Sequence, residues 1–160
     1  MNALLTSPLG PLYVEADEHG LTKLYTAEHH LHTGAGPDDG TFAEVQRQLD
    51  EYFAGERTEF DLPLSEHGTE FERAVWARLR EIPHGETATY GELARELGSV
   101  ARAVGRANGR NPISIITPCH RVIGADGSLT GYAGGLDAKR ALLDHERGVT
   151  SLSHGVPQPR

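Results

Sequence analysis

Three Thr-x-x-Glu segments, beginning at Thr41, Thr69 and Thr89, punctuate this chain and decide where helices can start. In such a box the threonine oxygen accepts the N–H three residues on. The glutamate reaches back to the threonine N–H, so two orphan donors of a helix start are satisfied. After Thr41, the residues Phe42, Val45, Leu49, Tyr52 and Phe53 recur at helical spacing until Gly55. After Thr69, the face is Phe71, Val75, Trp76 and Leu79, ended before Pro83. The Thr89 segment predicts a third helix to about Leu97; Gly98-Ser99 breaks it, and residues 100–108 read as a fourth. A last helix is expected over 137–146, capped by Asp137 and stopped by Gly148, with Leu142 and Leu143 inward.

Ahead of these lie apolar runs at 9–16 and 21–25, separated by Asp17-Glu18-His19-Gly20, a strand pair with a tight turn. The expected fold is α/β. A small N-terminal α+β lobe with a sheet and one helix (1–66) precedes a mostly helical lobe containing a helix-turn-helix (67–148), then a frayed tail (149–160). Residues 59–65 are expected to link the lobes, and 113–116 to form a buried extended segment that delivers Pro118-Cys119. The 160 residues suffice for two small lobes sharing a core.

No apolar run approaches the ~18 residues of a membrane span, and the N-terminus lacks the pattern of a signal peptide. A single cysteine, Cys119, excludes an intramolecular disulfide and a sulfur-rich metal cage, and points to a reducing cytoplasm. His29, His30 and His32 crowd one polar loop, but no second cluster stands at ligand spacing, so a metal site is not expected.

The net charge of −8 looks unsuited to nucleic acid, yet it is unevenly spread. Residues 1–70 carry 14 acidic and 3 basic side chains (−11); residues 71–160 carry 9 and 12 (+3). Between Ser99 and Ile123 stand Arg102, Arg106, Arg110 and Arg121 with no carboxylate. One lobe is therefore fit to receive a polyanion; ordinary surface variation is the bland alternative. The fourth helix is nearly bare of bulk, with Ala101, Ala103, Gly105, Ala107 and Gly109. Glycine in a helix costs about 1 kcal/mol against alanine, so something must approach this backbone closely. A nucleic-acid backbone and a tightly packed neighbouring helix both satisfy that requirement.

Cys119 lies in Thr117-Pro118-Cys119-His120-Arg121-Val122. A thiol attacks as its thiolate, so a nucleophilic cysteine needs a base or a stabilising charge. His120 and Arg121 are candidates for both. On these residues alone, a reactive thiol and a buried structural one stay open.

At Pro118-Cys119-His120-Arg121 the chain resembles the O6-alkylguanine-DNA alkyltransferases. The likeness continues, in the family's order, through Gly68-Thr69-x-Phe71 with Val75-Trp76, Ile82-Pro83-x-Gly85, Thr89-Tyr90, Arg102-Ala103-Val104-Gly105, Asn111-Pro112, Gly131-Tyr132-x-Gly134-Gly135 and Leu142-Leu143-x-x-Glu146. It covers residues 68–148 closely and the N-terminal lobe more loosely.

The resemblance implies a DNA repair protein that moves the alkyl group of O6-alkylguanine in double-stranded DNA irreversibly onto Cys119. It implies one event per molecule, no cofactor, and a monomer. By the same likeness His120 is the base, acting through a water, Glu146 orients His120, and Asn111 braces the active-site turn. The target base must leave the stack. Tyr90 matches the residue that rotates the nucleotide, and Arg102 the one that fills the gap. The Val122 carbonyl matches the acceptor of the guanine amino group. Tyr132 matches the pocket wall, and the Ala133 amide faces O6. Ala103, Gly105, Arg106, Arg110 and Arg121 complete the expected DNA-contacting set.

Three departures stand out. Glu72 replaces the family's usual glutamine. The turn before Arg102 is about two residues short. The cysteines of an N-terminal zinc site found in some members are absent. Two rivals remain: a non-catalytic module that binds alkylated DNA, and a cysteine hydrolase, which would turn over repeatedly.

Overall fold

The computed structural model describes residues 1–26, 34–132 and 135–148. The N-terminal sheet is a three-stranded antiparallel meander of β1 (Asn2–Leu5), β2 (Leu12–Asp17) and β3 (Gly20–Thr26). β1 had no clear sequence signal; it is set by pairing, from Asn2↔Glu15 to Leu5↔Leu12. The β2–β3 turn is held by Asp17 Oδ1, which accepts from the N–H groups of His19 (2.8 Å) and Gly20 (3.2 Å). Gly20 has φ 148°, and a Cβ there would collide with the Pro63 carbonyl. That close approach is where the interlobe segment docks.

The free edge of β3 takes two further segments. Leu21 pairs with Leu64, so the expected linker is an added piece of extended chain along the sheet. Leu24 pairs with Ile113 through Leu24 N–H to the Pro112 carbonyl and Ser114 N–H to the Leu24 carbonyl, both 2.8 Å. The sheet thus anchors the segment that leads to Cys119.

Helix α1 (Ala43–Phe53) buries Val45, Leu49, Tyr52 and Phe53 as its periodicity predicts. The Thr41 box does not form. Phe42 occupies the cap position, its N–H donates to both oxygens of Asp38 (3.1 and 3.2 Å), and Thr41 Oγ1 donates to Asp39 instead. Asp39 Oδ1 takes both the N–H (3.1 Å) and the hydroxyl of Thr41, and the Glu44 carboxylate is turned to Arg47 and Gln48, so neither half of the box closes.

The helical lobe holds α2 (Glu70–Leu79), a short strand β4 (Ala88–Thr89), α3 (Tyr90–Glu96) and α4 (Ala101–Gly109). Then come a 3-10 turn (Cys119–Arg121), β5 (Val122–Ile123) and α5 (Leu136–Glu146). The boxes at Thr69 and Thr89 both close reciprocally. β4 runs parallel to β5, with Ala88 opposite Val122, which sets the start of α3 beside the chain leaving Cys119.

Two expectations are corrected. Residues 113–116 are buried but not an extended run. Only Ile113 pairs, and the chain turns sharply at Ile115, whose φ is 71°. A β-branched residue there is strained, and the flanking bonds and buried packing hold it. Helix α5 begins one residue earlier than expected, with Gly135 as cap; Asp137 lies in its first turn and makes no capping bond.

One apolar cluster joins the sheet and α1 with Ile113, Ile115, Ile116 and Leu142. A second joins α2, α3 and α4 with Cys119 and Val122. Tyr132 packs against both. Among the described residues, no helix is long and apolar enough to cross a membrane. The histidine loop at 29, 30 and 32, Ala133 and the expected tail all fall outside the described residues.

Candidate active site and nucleic-acid interface

Cys119 sits at the start of the 3-10 turn with 5% of its surface exposed. Its carbonyl accepts from Asn108 Nδ2 on α4 at 3.4 Å, so the cysteine lies directly behind the arginine-bearing helix. Asn111 spans the preceding turn: its Nδ2 donates to the Thr117 carbonyl (2.8 Å) and its Oδ1 accepts from Ile113 N–H (3.0 Å). Arg80 adds a bond to Thr117 Oγ1 at 2.9 Å. The strained turn is tied at both ends, which is how it keeps its shape.

The thiol is protonated at rest. Burial pushes its pKa up, and the opposing pull of Asn111, Lys139 and Ser114 is smaller. Burial likewise holds His120 below the ordinary imidazole value, with Glu146 partly opposing. Both partners of the expected proton transfer are therefore neutral in the free protein.

His120 Nε2 lies 2.7 Å from Glu146 Oε2, and both side chains are fully buried. Burial works against ionisation of Glu146, but the hydrogen bonds from His120 and Arg121 and the Arg121 charge outweigh it and hold the carboxyl well below the usual range. An ionised carboxylate only accepts, so the neutral imidazole carries its proton on Nε2. Nδ1 is then a bare lone pair, buried and without a partner among the described residues. A buried acceptor left unpaired is costly, and it is the atom able to take a proton.

Arg121 corrects an expectation. It is 6% exposed, donates through Nε and Nη2 to Glu146 and through Nη1 to the Ile82 carbonyl, and so cannot reach a DNA surface. Its positive charge belongs to the interior.

Two buried residues of the site were not singled out from sequence. Lys139 Nζ donates to the carbonyls of Val122 and Thr130, each at 2.7 Å. Tyr52, from α1, donates its hydroxyl to Glu146 Oε2 at 2.6 Å. Lys139 was discoverable, for Lys139, Leu142, Leu143 and Glu146 recur at i, i+3, i+4 and i+7 on one face. Tyr52 had a helical stripe to mark it as buried, but nothing local to name its partner.

Tyr90, the first residue of α3, donates to the Thr130 carbonyl at 3.1 Å, next to the Lys139 bond. Tyr132 is half-buried, and burial followed by the nearby Cys119 keeps its hydroxyl protonated well above the ordinary range. Arg102 and Arg106 on α4 and Arg110 at its C-terminal cap are exposed, and Arg110 pairs with Glu72 at 3.2 Å. A Cβ on Gly105 would meet the Tyr90 ring at 3.8 Å, an ordinary contact, and one on Gly109 would meet nothing within 4 Å. Packing within the chain therefore does not require either glycine.

The comparisons converge. Residues 1–65 match a family model described as the 6-O-methylguanine DNA methyltransferase ribonuclease-like domain, and residues 70–148 the DNA binding domain of the same proteins. The methylated-DNA–protein-cysteine methyltransferase of Methanosarcina acetivorans is 50% identical over 151 residues, covering 90% of this chain and 96% of its own. That of Mycobacterium tuberculosis is 51% identical over 148 residues, covering 89% and 90%. A crystal structure of the Mycobacterium tuberculosis protein in complex with DNA superposes with a TM-score of 0.86 at 49% identity, covering 96% of each chain. The O6-methylguanine DNA methyltransferase of Methanococcus jannaschii superposes at 0.68 with 28% identity, covering 92% and 93%.

Proposed function

This chain belongs to the O6-methylguanine DNA methyltransferase family and is a DNA repair methyltransferase, and from that premise we propose the residues and steps by which it works. Cys119 Sγ attacks the carbon attached to O6 of an alkylated guanine. The C–S bond forms as the C–O bond breaks, and the guanine keeps the bonding pair. The thiol proton passes to His120 Nδ1, directly or through one water. The Nε2 proton stays on the Glu146 side, where the carboxylate stabilises the imidazolium.

The observation that carries this reading is the orphan Nδ1 of His120. Its tautomer is set by Glu146, and the residue before it in the chain is the only cysteine. The resting site is neutral, so ionisation is coupled to arrival of the substrate rather than stored. The product is a thioether, a poor leaving group, so each molecule acts once.

The substrate is double-stranded DNA, with the target base turned out of the duplex. Arg102, at the start of α4, takes the place of the departed base. Ala103 and Gly105 let the helix seat in a minor groove about 6 Å wide. Arg106 and Arg110 meet phosphates. Tyr90 rotates the nucleotide and must release Thr130 to do so. The Val122 carbonyl, oriented by Lys139, accepts from the guanine amino group. Tyr132 walls the pocket. The protein acts as a monomer in the cytoplasm, where a lone reactive thiol stays reduced.

Duplex carrying O6-methylguanine is incubated with a range of protein amounts, then digested to nucleosides. Guanine is restored mole for mole with protein and then stops. Restoration that continues past one equivalent overturns the single-event mechanism. None at all in the presence of binding favours a damage sensor.

A further inference from the structure

The N-terminal lobe reaches the reaction centre at one side chain. Tyr52 lies in the last turn of α1, fully buried, and its hydroxyl stands 2.6 Å from Glu146 Oε2. That oxygen already receives His120 Nε2 at 2.7 Å and Arg121 Nη2 at 2.9 Å, while Oε1 receives Arg121 Nε at 2.8 Å. The tyrosine is not placed there loosely. His145 Nε2 donates to its carbonyl at 2.8 Å, and the rings of Phe53, Phe60 and His145 enclose it.

We propose that Tyr52 is a positioning residue for alkyl transfer: by occupying Glu146 Oε2 beside the imidazole N–H, it sets how strongly the carboxylate draws on His120. Three donors share the lone pairs of one oxygen. Each added donor spreads the negative charge and weakens the pull on the others. Removing Tyr52 leaves more of the charge to His120 and makes the imidazolium easier to form. The acid form of His120 cannot accept the thiol proton, so the consequence is readable in pH. The proposal rests on His120 being the base, as argued above.

The other groups facing this pair are Arg121 from the 3-10 turn, Lys139 and His145 from α5, His84 before β4, and Tyr132 and Cys119 on the pocket side. None of them changes in the test. Burial and the neighbouring Glu146 charge keep the Tyr52 hydroxyl protonated well above the ordinary range, so it is a donor at every working pH.

The test is the pH dependence of the single-event transfer rate on O6-methylguanine duplex, in wild type, Tyr52→Phe and Tyr52→3-fluorotyrosine. Phenylalanine keeps the ring and removes the donor; the acid limb moves up by about 0.5–1 pH unit. Fluorotyrosine is nearly isosteric and a stronger donor, so it folds as the parent does, and the limb moves down. Opposite shifts are not expected of a tyrosine that only fills space. An unmoved limb in the fluorotyrosine variant overturns the proposal, even if the phenylalanine variant is too unstable to assay. His120→Asn separates the two readings. If it abolishes the acid limb while both Tyr52 variants leave the limb in place, only the Tyr52 role falls. If it leaves the wild-type limb intact, His120 is not the base and both fall.

Discussion

Arg121 closes a two-point ion pair on Glu146 inside the protein, Nε on Oε1 at 2.8 Å and Nη2 on Oε2 at 2.9 Å. The carboxylate that orients the imidazole is thereby held by a cation that is itself anchored to the Ile82 carbonyl at 2.7 Å. Breaking such a pair strands a charge where water cannot reach it. Glu146→Gln is expected to cost about 3–5 kcal/mol in urea unfolding. The Glu72–Arg110 pair is a surface one, so Glu72→Gln, which restores the family's usual residue, changes stability by less than about 1 kcal/mol. Equal losses at the two positions contradict the assignment of Arg121 to the interior.

The resting neutrality of Cys119 and His120 has a sign that can be checked. Burial lowers the His120 pKa, so the base form persists below about 6.5, the ordinary imidazole value. The transfer rate is expected to hold steady as pH falls to that value and to decline only below it. Burial raises the Cys119 pKa, so ultraviolet thiolate absorbance of the free protein should emerge only above about pH 8.5, the ordinary thiol value. A thiolate signal at neutral pH contradicts this account.

Helix caps offer a direct comparison. Thr69 Oγ1 accepts from Glu72 N–H at 3.0 Å, whereas Thr41 Oγ1 is spent on Asp39. Thr69→Ala is expected to destabilise by about 1 kcal/mol, Thr41→Ala by only a few tenths, and Asp38→Ala by about as much as Thr69→Ala. Denaturant midpoints rank the three, and a larger loss at Thr41 than at Asp38 contradicts the observed cap.

These caps also mark how far the sequence could be read. Helices with an uncontested threonine and a clean apolar stripe were legible almost to the residue, as at Thr69 and Thr89. Thr41 failed because Asp39 takes its N–H and Glu44 turns to Arg47 and Gln48, and spacing alone does not rank competitors. β1 was illegible because four residues carry no alternation; its partner in β2 defines it. Residues 113–116 were legible as buried, but the turn at Ile115 is imposed by tertiary bonds from Asn111 and β3. Cys119, His120 and Glu146 were legible through motif resemblance. Arg121 was misjudged because its charge pointed outward on paper while its partner stood 25 residues away.

The role proposed for Arg102 can be separated from the chemistry. Arg102→Ala is expected to slow transfer from duplex by about tenfold to a hundredfold, and from the free modified base by less than about twofold, since extrusion costs a few kcal/mol and each 1.4 kcal/mol is tenfold. Paired rate measurements decide it. Equal slowing on both substrates contradicts a role in holding the opened stack.

The most direct measurement is the mass of the protein after reaction with methylated duplex, followed by peptide mapping. The account predicts a gain of one methyl group, located on the peptide containing Cys119, and no gain in Cys119→Ala. A methyl group on any other residue, or an equal gain in the alanine variant, contradicts it.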